Sequence, residues 1–292
     1  MTAHGVLHHV LDDEIARLTQ KIETQLRSSR RDPAEPPGFG DLGTINPALL
    51  LHRLWLAHTR DDVQTALHDA HRRAVAAACA KLPGGLLDAV HARRAAAAAA
   101  LAARHPGWTW HSVLIEPMWR LVVGHGEDSV HETALTLSPT YGVLVLPGTA
   151  LKGLAAAAAR LAGWSDLDDT LFGTPRPERP PDAHRGSVLI WDGVPTEPPE
   201  LVLDVLTPHV KAYYDSGNSP NGVPDTAPAE CYNPVPIRFL AVEKTRFRAY
   251  LIGPPDDVAA CVTLVRSGLD ELGIGGKTAA GYGYCVSSEE PI

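Results

Sequence analysis

The stretch Leu272-Gly273-Ile274-Gly275-Gly276-Lys277-Thr278-Ala279-Ala280-Gly281-Tyr282-Gly283-Tyr284 gathers five glycines around one lysine and one threonine. Glycine admits positive φ and lets another backbone approach closely. Such residues beside a cation suit phosphate, held by main-chain N–H groups and by the charge. That phosphate could belong to a nucleotide or to a polynucleotide backbone. The position a P-loop would fill with its first glycine is Glu271, whose carboxylate repels phosphate. The order of elements is also reversed for a P-loop, which runs from strand to loop to helix. Here Asp256 to Leu272 predicts a helix, with Val258, Cys261, Val262, Val265 and Leu269 at helical spacing, and Tyr282 to Ser287 predicts a strand. The nucleotide reading is set aside in favour of a polynucleotide.

Three other segments carry residue types of the same kind. Leu144-Val145-Leu146-Pro147-Gly148-Thr149-Ala150-Leu151-Lys152-Gly153 reads as strand, turn and helix start. Thr149 is expected to cap that helix, and Lys152 falls in its first turn. A cation there opposes the helix dipole, which suits an anionic ligand better than stability. Gly124-His125-Gly126-Glu127-Asp128-Ser129-Val130-His131-Glu132-Thr133 is a polar glycine loop after a strand. The third segment runs from Asp204 through Thr207-Pro208-His209-Val210-Lys211-Ala212-Tyr213-Tyr214 and continues at Asn233-Pro234-Val235-Pro236.

Gly275 followed by Gly281-Tyr282-Gly283 resembles the C-terminal glycine-rich loop of the RAMP superfamily, the RNA-binding proteins of CRISPR systems. The Pro-Gly-Thr-Ala-Leu-Lys-Gly turn at 147–153 resembles that family's Pro-Gly-Ser-Ser-Leu-Lys-Gly turn. The 124–142 segment and the Thr-Pro-His, Tyr-Tyr and Asn-Pro-Val-Pro run resemble one branch, the sixth RAMP subunit of the type III-B Cmr module. Ala134 departs from the last glycine of the branch's Glu-Thr-Gly, and His125 from an apolar residue. Together the resembling segments cover most of residues 112–287.

The resemblance implies a non-catalytic guide-RNA-binding subunit of an antiviral ribonucleoprotein, near the guide's 3′ end and without cofactor. Its implied partners are the guide RNA and guide–target duplex, with the repeated backbone RAMP subunit, the small helical subunit and the other terminal RAMP subunit. The RNA-contacting candidates are Gly124, His125, Gly126, Thr149, Lys152, His209, Lys211, Tyr213, Gly275, Gly276, Lys277, Thr278, Gly281, Tyr282 and Gly283. Tyr213 and Tyr282 could stack on bases or pack in the protein. His125, Asp128, His131 and Glu132 are the one dense group of ligand-type residues, but they lack the second histidine of a zinc-protease pattern. The rival readings are a RAMP endoribonuclease acting through loop 124–133 and a subunit of a type III-A module.

The elements that must position these residues fall into two regions. Residues 1–105 predict helices over about 6–27, 47–58, 61–81 and 85–105, with alanine-rich faces suited to docking a partner. Residues 106–292 predict strands over 113–123, 142–147, 186–193, 200–206, 237–243, 245–252 and 282–287, and helices over 149–163 and 256–272. That alternation suits an α+β, ferredoxin-like core of the RRM kind, the plan the RAMP family modifies. The proline-rich interval 207–236 is too long for an ordinary connection and is expected to be functional or disordered.

Composition sets the outer bounds. The 292-residue chain is 45% apolar, enough for a substantial core, and carries a net charge of −8. That charge argues against a basic nucleic-acid binder, although polyanion binding depends on a local stripe. Three of the six lysines, Lys152, Lys211 and Lys277, fall inside the motif segments. Cys79, Cys231, Cys261 and Cys285 are too scattered for a zinc knuckle and suit a reduced, cytoplasmic protein. No apolar run approaches the roughly 20 residues of a membrane span, and no membrane partner is expected.

Overall fold

The computed structural model describes residues 15–24, 45–54, 58–59, 61–127, 133–164, 170–174, 183–207, 213, 234 and 236–289. Four helices precede the first strand: α1 (15–24), α2 (Pro47–Arg53), α3 (Asp61–Ala80) and α4 (Leu86–Arg104). Then follow β1 (Thr109–Pro117), α5 (Gly148–Leu161), β2 (Leu189–Ile190), β3 (Val194–Pro195), β4 (Glu200–Leu206), β5 (Ile237–Lys244), β6 (Phe247–Gly253), α6 (Pro255–Glu271) and β7 (Cys285–Glu289). Among the described residues no helix is long and apolar enough to cross a membrane.

The main sheet runs β2-β6-β1-β7, with β3 also on β6, and its pairings are antiparallel. Side chains alternate across a strand, so each strand serves two faces. Val113 and Ile115 of β1 and Phe247, Ala249 and Leu251 of β6 pack beneath α5 and α6. Tyr250 and Ile252, from the other parity, pack with Trp110 and Trp191 beneath α4. Alanine at 98 and 102 lets α4 lie close on these large rings. His91 Nε2 donates to the Pro195 carbonyl at 2.8 Å, and the Arg94 guanidinium lies 5.7 Å from the ring centroids of both Trp191 and Tyr250. The aromatic part of the second sheet face is thus covered from within the chain.

β4 and β5 form a separate hairpin, with Asp204 opposite Phe239 and Val202 opposite Ala241. Leu240 and Val242 face the main core, whereas Phe239 and Ala241 join Val122 and Tyr282. The hairpin is latched to α3 by Asp69, only 1% exposed, which accepts from Arg72 at 3.2 Å and from Arg238. Two guanidiniums on one buried carboxylate compensate its desolvation, so losing any one partner would be costly.

One hydrophobic cluster contains Ile15, Leu50, Val63 and Leu67 together with Val113, Leu144, Leu251 and Val265. Position 105/106 is therefore not a boundary between cores. Several expected elements also shift. The strand expected over 142–147 is reduced to isolated bridges, Leu137 to Leu144 and Leu146 to Gly193. The strand expected to reach residue 123 ends at Pro117, beyond the start of its partner β6 at Phe247, with Met118 N donating a last bond to Tyr284 O at 2.9 Å. Beyond it Leu121 bridges to Val242 of the hairpin. The strand expected over 186–193 is split into β2 and β3, and β7 begins at Cys285 because Tyr282 and Gly283 still belong to the loop.

Candidate nucleic-acid interface

The glycine loop begins where α6 ends, with the Gly273 N–H donating to Gly268 O at 3.0 Å. It then lies against the strand-like segment that leaves β1. Gly276 N donates to Val122 O and Gly283 N to Arg120 O, each at 2.8 Å, while Ile274 N closes the loop on Gly283 O at 2.8 Å. These amides are committed to protein carbonyls. At Gly275 (φ 87°) a Cβ would fall 2.2 Å from Val122 O, so close approach demands glycine there. Gly281 differs: its φ is 91°, but a Cβ there would meet nothing within 4 Å. Part of the loop is an internal fastening, and part is open to solvent.

Lys277 stands at the apex between these parts, as the N-terminal cap of a short 3-10 turn over Thr278–Ala280. It is the non-glycine residue with positive φ among the described residues, at 61°. The conformation costs on the order of 1 kcal/mol for a side chain and is held by Ala280 N and Tyr282 N, which donate to Lys277 O at 2.9 and 3.4 Å. Its ammonium has no carboxylate partner among the described residues; it lies over the Phe239 ring, 5.6 Å from the centroid. Desolvation lowers its pKa. By contrast Lys244, Arg246 and Arg266 pair with Glu200, Glu197 and Glu289.

A row of rings extends along the floor. His125 meets Phe239 edge-on at 5.7 Å between centroids, Phe239 meets Tyr282 at 5.9 Å, and Tyr282 meets Trp119 at 5.0 Å. Burial, and then the Lys277 charge, push the His125 pKa below the usual histidine value, which favours the neutral ring. Tyr282 is 6% exposed and donates to Asp204 Oδ2 at 2.7 Å. Burial first, and then the Asp204 carboxylate, push its hydroxyl up to about 12. Arg120 also grips Asp204 Oδ2, at 2.8 Å, and Glu243 Oε1, at 3.0 Å. Burial alone would raise the Asp204 pKa, but the Tyr282 hydroxyl and Arg120 outweigh it and hold the carboxyl low.

The structure brings together Gly124, His125, Gly126, Gly275, Gly276, Lys277, Thr278, Gly281, Tyr282 and Gly283. Gly276 packs on His125, its Cβ direction lying 3.4 Å from the His125 Cβ. Gly124 and Gly126 belong to the turn that carries His125, closed by Glu127 N donating to Gly124 O at 3.0 Å. The faces of Tyr282 are taken by Trp119 and Phe239, so its ring packs inside the protein instead of meeting a base. Thr149 and Lys152 lie elsewhere, on α5. Thr149 does not cap that helix. Pro147 is its N-cap, and the Gly148 N–H donates to Asp192 Oδ1 at 2.7 Å, which already places a carboxylate at the helix start. Lys152 acts electrostatically on Cys261, which lies twelve residues, or roughly 18 Å of helix rise, before Gly273. Tyr213 is half-buried, while His209, Lys211, Asp128, His131 and Glu132 lie outside the described residues.

Trp119, Arg120, Asp204, Phe239 and Glu243 were not singled out by sequence reasoning. Phe239 carries no signal in an apolar strand. Trp119 and Arg120 were expected inside the strand over 113–123 and so gave no signal, whereas Asp204, the polar member of Leu-Val-Leu-Asp-Val-Leu, is a signal that could have been followed.

A mixed α/β domain whose glycine loop presents a cation beside a ring-lined floor suits a protein that meets polyanions. The RAMP superfamily sequence pattern matches residues 114–286, more than half of the chain, and the chain belongs to that superfamily. It is 30% identical to the CRISPR system Cmr subunit Cmr6 of Pyrococcus furiosus, over 57% of this chain and 65% of that protein's length. Its fold matches a chain in a cryo-electron-microscopy structure of the type III-B Cmr-β complex bound to cognate target RNA. That likeness has a TM-score of 0.60 and 16% identity, and covers 98% of this chain and 88% of the other. A crystal structure of Cmr6 from Pyrococcus furiosus aligns at 25% identity over 63% of this chain and 99% of the other, with a TM-score of 0.38.

Proposed function

We propose that this chain is a guide-RNA-binding subunit of a type III-B CRISPR effector ribonucleoprotein, acting in antiviral defence in the cytoplasm without cutting RNA itself. The observation that carries this reading is Lys277: a half-buried ammonium without a carboxylate partner among the described residues, held in left-handed backbone at the tip of a fastened glycine loop. Strained residues persist where the surroundings over-determine them, and they cluster at binding sites. The sequence similarity to a Cmr subunit supports the assignment to that module. The strand–helix–strand–strand–helix–strand order over a sheet β2-β6-β1-β7 is read as a ferredoxin-like core.

On this reading the exposed rim of the loop follows the guide's sugar–phosphate backbone near its 3′ end. Contacts are to phosphate and 2′-hydroxyl groups, which fix position without reading sequence. The chain caps a stack of repeated RAMP subunits; the 207–236 interval, expected to be functional, lies almost wholly outside the described residues. His125 is a wall of the site, packed on Gly276 and Phe239, and not a base aimed at a scissile bond.

The test is a salt series on two unrelated single-stranded RNAs. Lys277→Ala is expected to weaken binding to both and to reduce the log–log salt slope by roughly 0.7, the share of one phosphate contact. Lys152→Ala, distant from the loop, is expected to leave the slope unchanged. Wild-type affinity and slope in Lys277→Ala would overturn the site.

A further inference from the structure

We infer that Trp119 is a base-stacking residue of the same interface, which orients a single-stranded RNA with its backbone towards Lys277 and a base against the indole. The inference rests on the RNA-binding reading and adds to it a residue, a type of contact and a polarity.

Trp119 is 50% exposed although it is the largest apolar side chain available, and it directly follows the equally unshielded Met118, at 64%. The indole is nevertheless not loose. It leans on Tyr282 with centroids 5.0 Å apart and planes 36° apart, and the Arg120 guanidinium lies 5.3 Å from its centroid. Both supports are themselves fixed: Tyr282 by its hydrogen bond to Asp204, and Arg120 by Asp204 and Glu243. An exposed ring with an anchored backing can stack on a base with little loss of side-chain freedom. Stacking of this kind tolerates any sequence, because every base has a π-face. Among the described residues the Trp119 side chain makes no hydrogen bond, so its indole N–H is free for the ligand.

Charge sets the polarity. Near Trp119 the Arg120 cation is outnumbered by Asp204 and Glu243, so this end of the row repels phosphate. At the other end Lys277 has no carboxylate partner among the described residues, and His125 favours its neutral form. A nucleotide satisfies both ends when its phosphate faces Lys277 and a base lies over Trp119. Lys277, Phe239, Tyr282 and Trp119 are separated by steps of 5.6, 5.9 and 5.0 Å. The aromatic face beneath α4, with Trp110, Trp191 and Tyr250, is closed by that helix and offers no rival platform.

The experiment compares the full-length wild-type chain, Trp119→Ala, Trp119→Phe and Lys277→Ala. Each is titrated with a fluorescein-labelled single-stranded RNA over a salt series, and thermal unfolding of each is recorded. Trp119→Ala is expected to lose about fivefold or more in affinity, the lower end of a stacking contact, with an unchanged salt slope. Trp119→Phe is expected to recover most of the loss. Replacing one of several uridines by 5-iodouridine should also give a photocrosslink that maps to Trp119 and is lost in Trp119→Ala. Wild-type RNA affinity in Trp119→Ala, while Lys277→Ala still weakens binding and flattens the slope, overturns the stacking inference and leaves the RNA-binding reading standing. Normal RNA binding by Trp119→Ala together with failure to join the other subunits overturns it in favour of a protein contact. A wild-type chain that binds no RNA sinks both.

Discussion

Alanine at Gly281 and at Gly275, introduced one at a time, separates the part of the glycine loop that holds the fold from the part that meets a ligand. Both residues have positive φ, 91° and 87°, so each substitution incurs the left-handed penalty of roughly 1–2 kcal/mol. At Gly281 nothing lies within 4 Å of the new Cβ, and the penalty stops there. At Gly275 the Cβ would sit 2.2 Å from Val122 O, so the loop must lift away. Lifting breaks the 2.8 Å bond from Gly276 N to Val122 O, at about 1 kcal/mol, and strains its neighbours. The total at Gly275 should reach about 3 kcal/mol or more, a large share of the roughly 5–15 kcal/mol of a whole domain. Urea denaturation of both variants gives the two costs, and RNA binding is then measured where each variant is folded. Gly281→Ala should lose about tenfold or more in affinity while losing only the roughly 1–2 kcal/mol of the backbone penalty, because its Cβ intrudes on the exposed approach. Equal destabilisation by the two substitutions, or a near-neutral Gly275→Ala, would refute the seating of the loop on Val122. Unchanged RNA affinity in Gly281→Ala would refute the approach.

Three further outcomes are expected. Asp204→Ala should destabilise the chain by about 2 kcal/mol, since it leaves the buried Tyr282 hydroxyl without its acceptor and Arg120 with Glu243 alone; thermal and urea unfolding check this. The Asp204 pKa is held low in the fold, so its contribution is present above a pH of about 4 and is lost as pH falls below that; Asp204→Ala should flatten the acid limb. The lowered pKa of His125 would be raised by a bound phosphate, so RNA binding takes up a proton and tightens as pH falls towards and below the ordinary histidine range; His125→Asn should remove that dependence in the same titrations. Residues 106–292 alone should give no cooperative unfolding transition by circular dichroism, because deletion of the first 105 residues strips Val63, Leu67 and Val75 from the core shared with the sheet.

That last expectation concerns the N-terminal helices, whose faces the sequence suits to docking a partner. Their alanine-rich faces are visible in the sequence, but alanine packs equally well on a partner or on the chain's own sheet. The choice was made by the even-numbered rings of β1 and β6, Trp110 and Tyr250, which need cover and receive it from α4.

The sequence by itself determined the kinds of element and the place of the loop. Helical spacing in 256–272, matched by Pro255–Glu271, and the short apolar, β-branched run over 200–206, matched by Glu200–Leu206, are local patterns that one segment can express. Five glycines around Lys277 identified a loop that other backbone must approach, since glycine's freedom is a property of the residue. Tertiary structure decided what approaches it. Gly276 and Gly283 donate to Val122 and Arg120, more than 150 positions away in the chain, and no local pattern encodes that pairing. It also decided the roles of the tyrosine and the tryptophan. Tyr282 turned inward because Asp204, on a hairpin that folds back from another part of the chain, accepts its hydroxyl and Phe239 covers its ring. Trp119 stayed at the surface because the strand before it ends at Pro117 and the next residues cross to the hairpin. Lys152 and Lys277 look equivalent as cations in glycine-bearing turns, yet α5 carries one onto α6 and the loop carries the other to its tip. Which charges converge depends on how distant elements pack, and packing is a property of the whole chain.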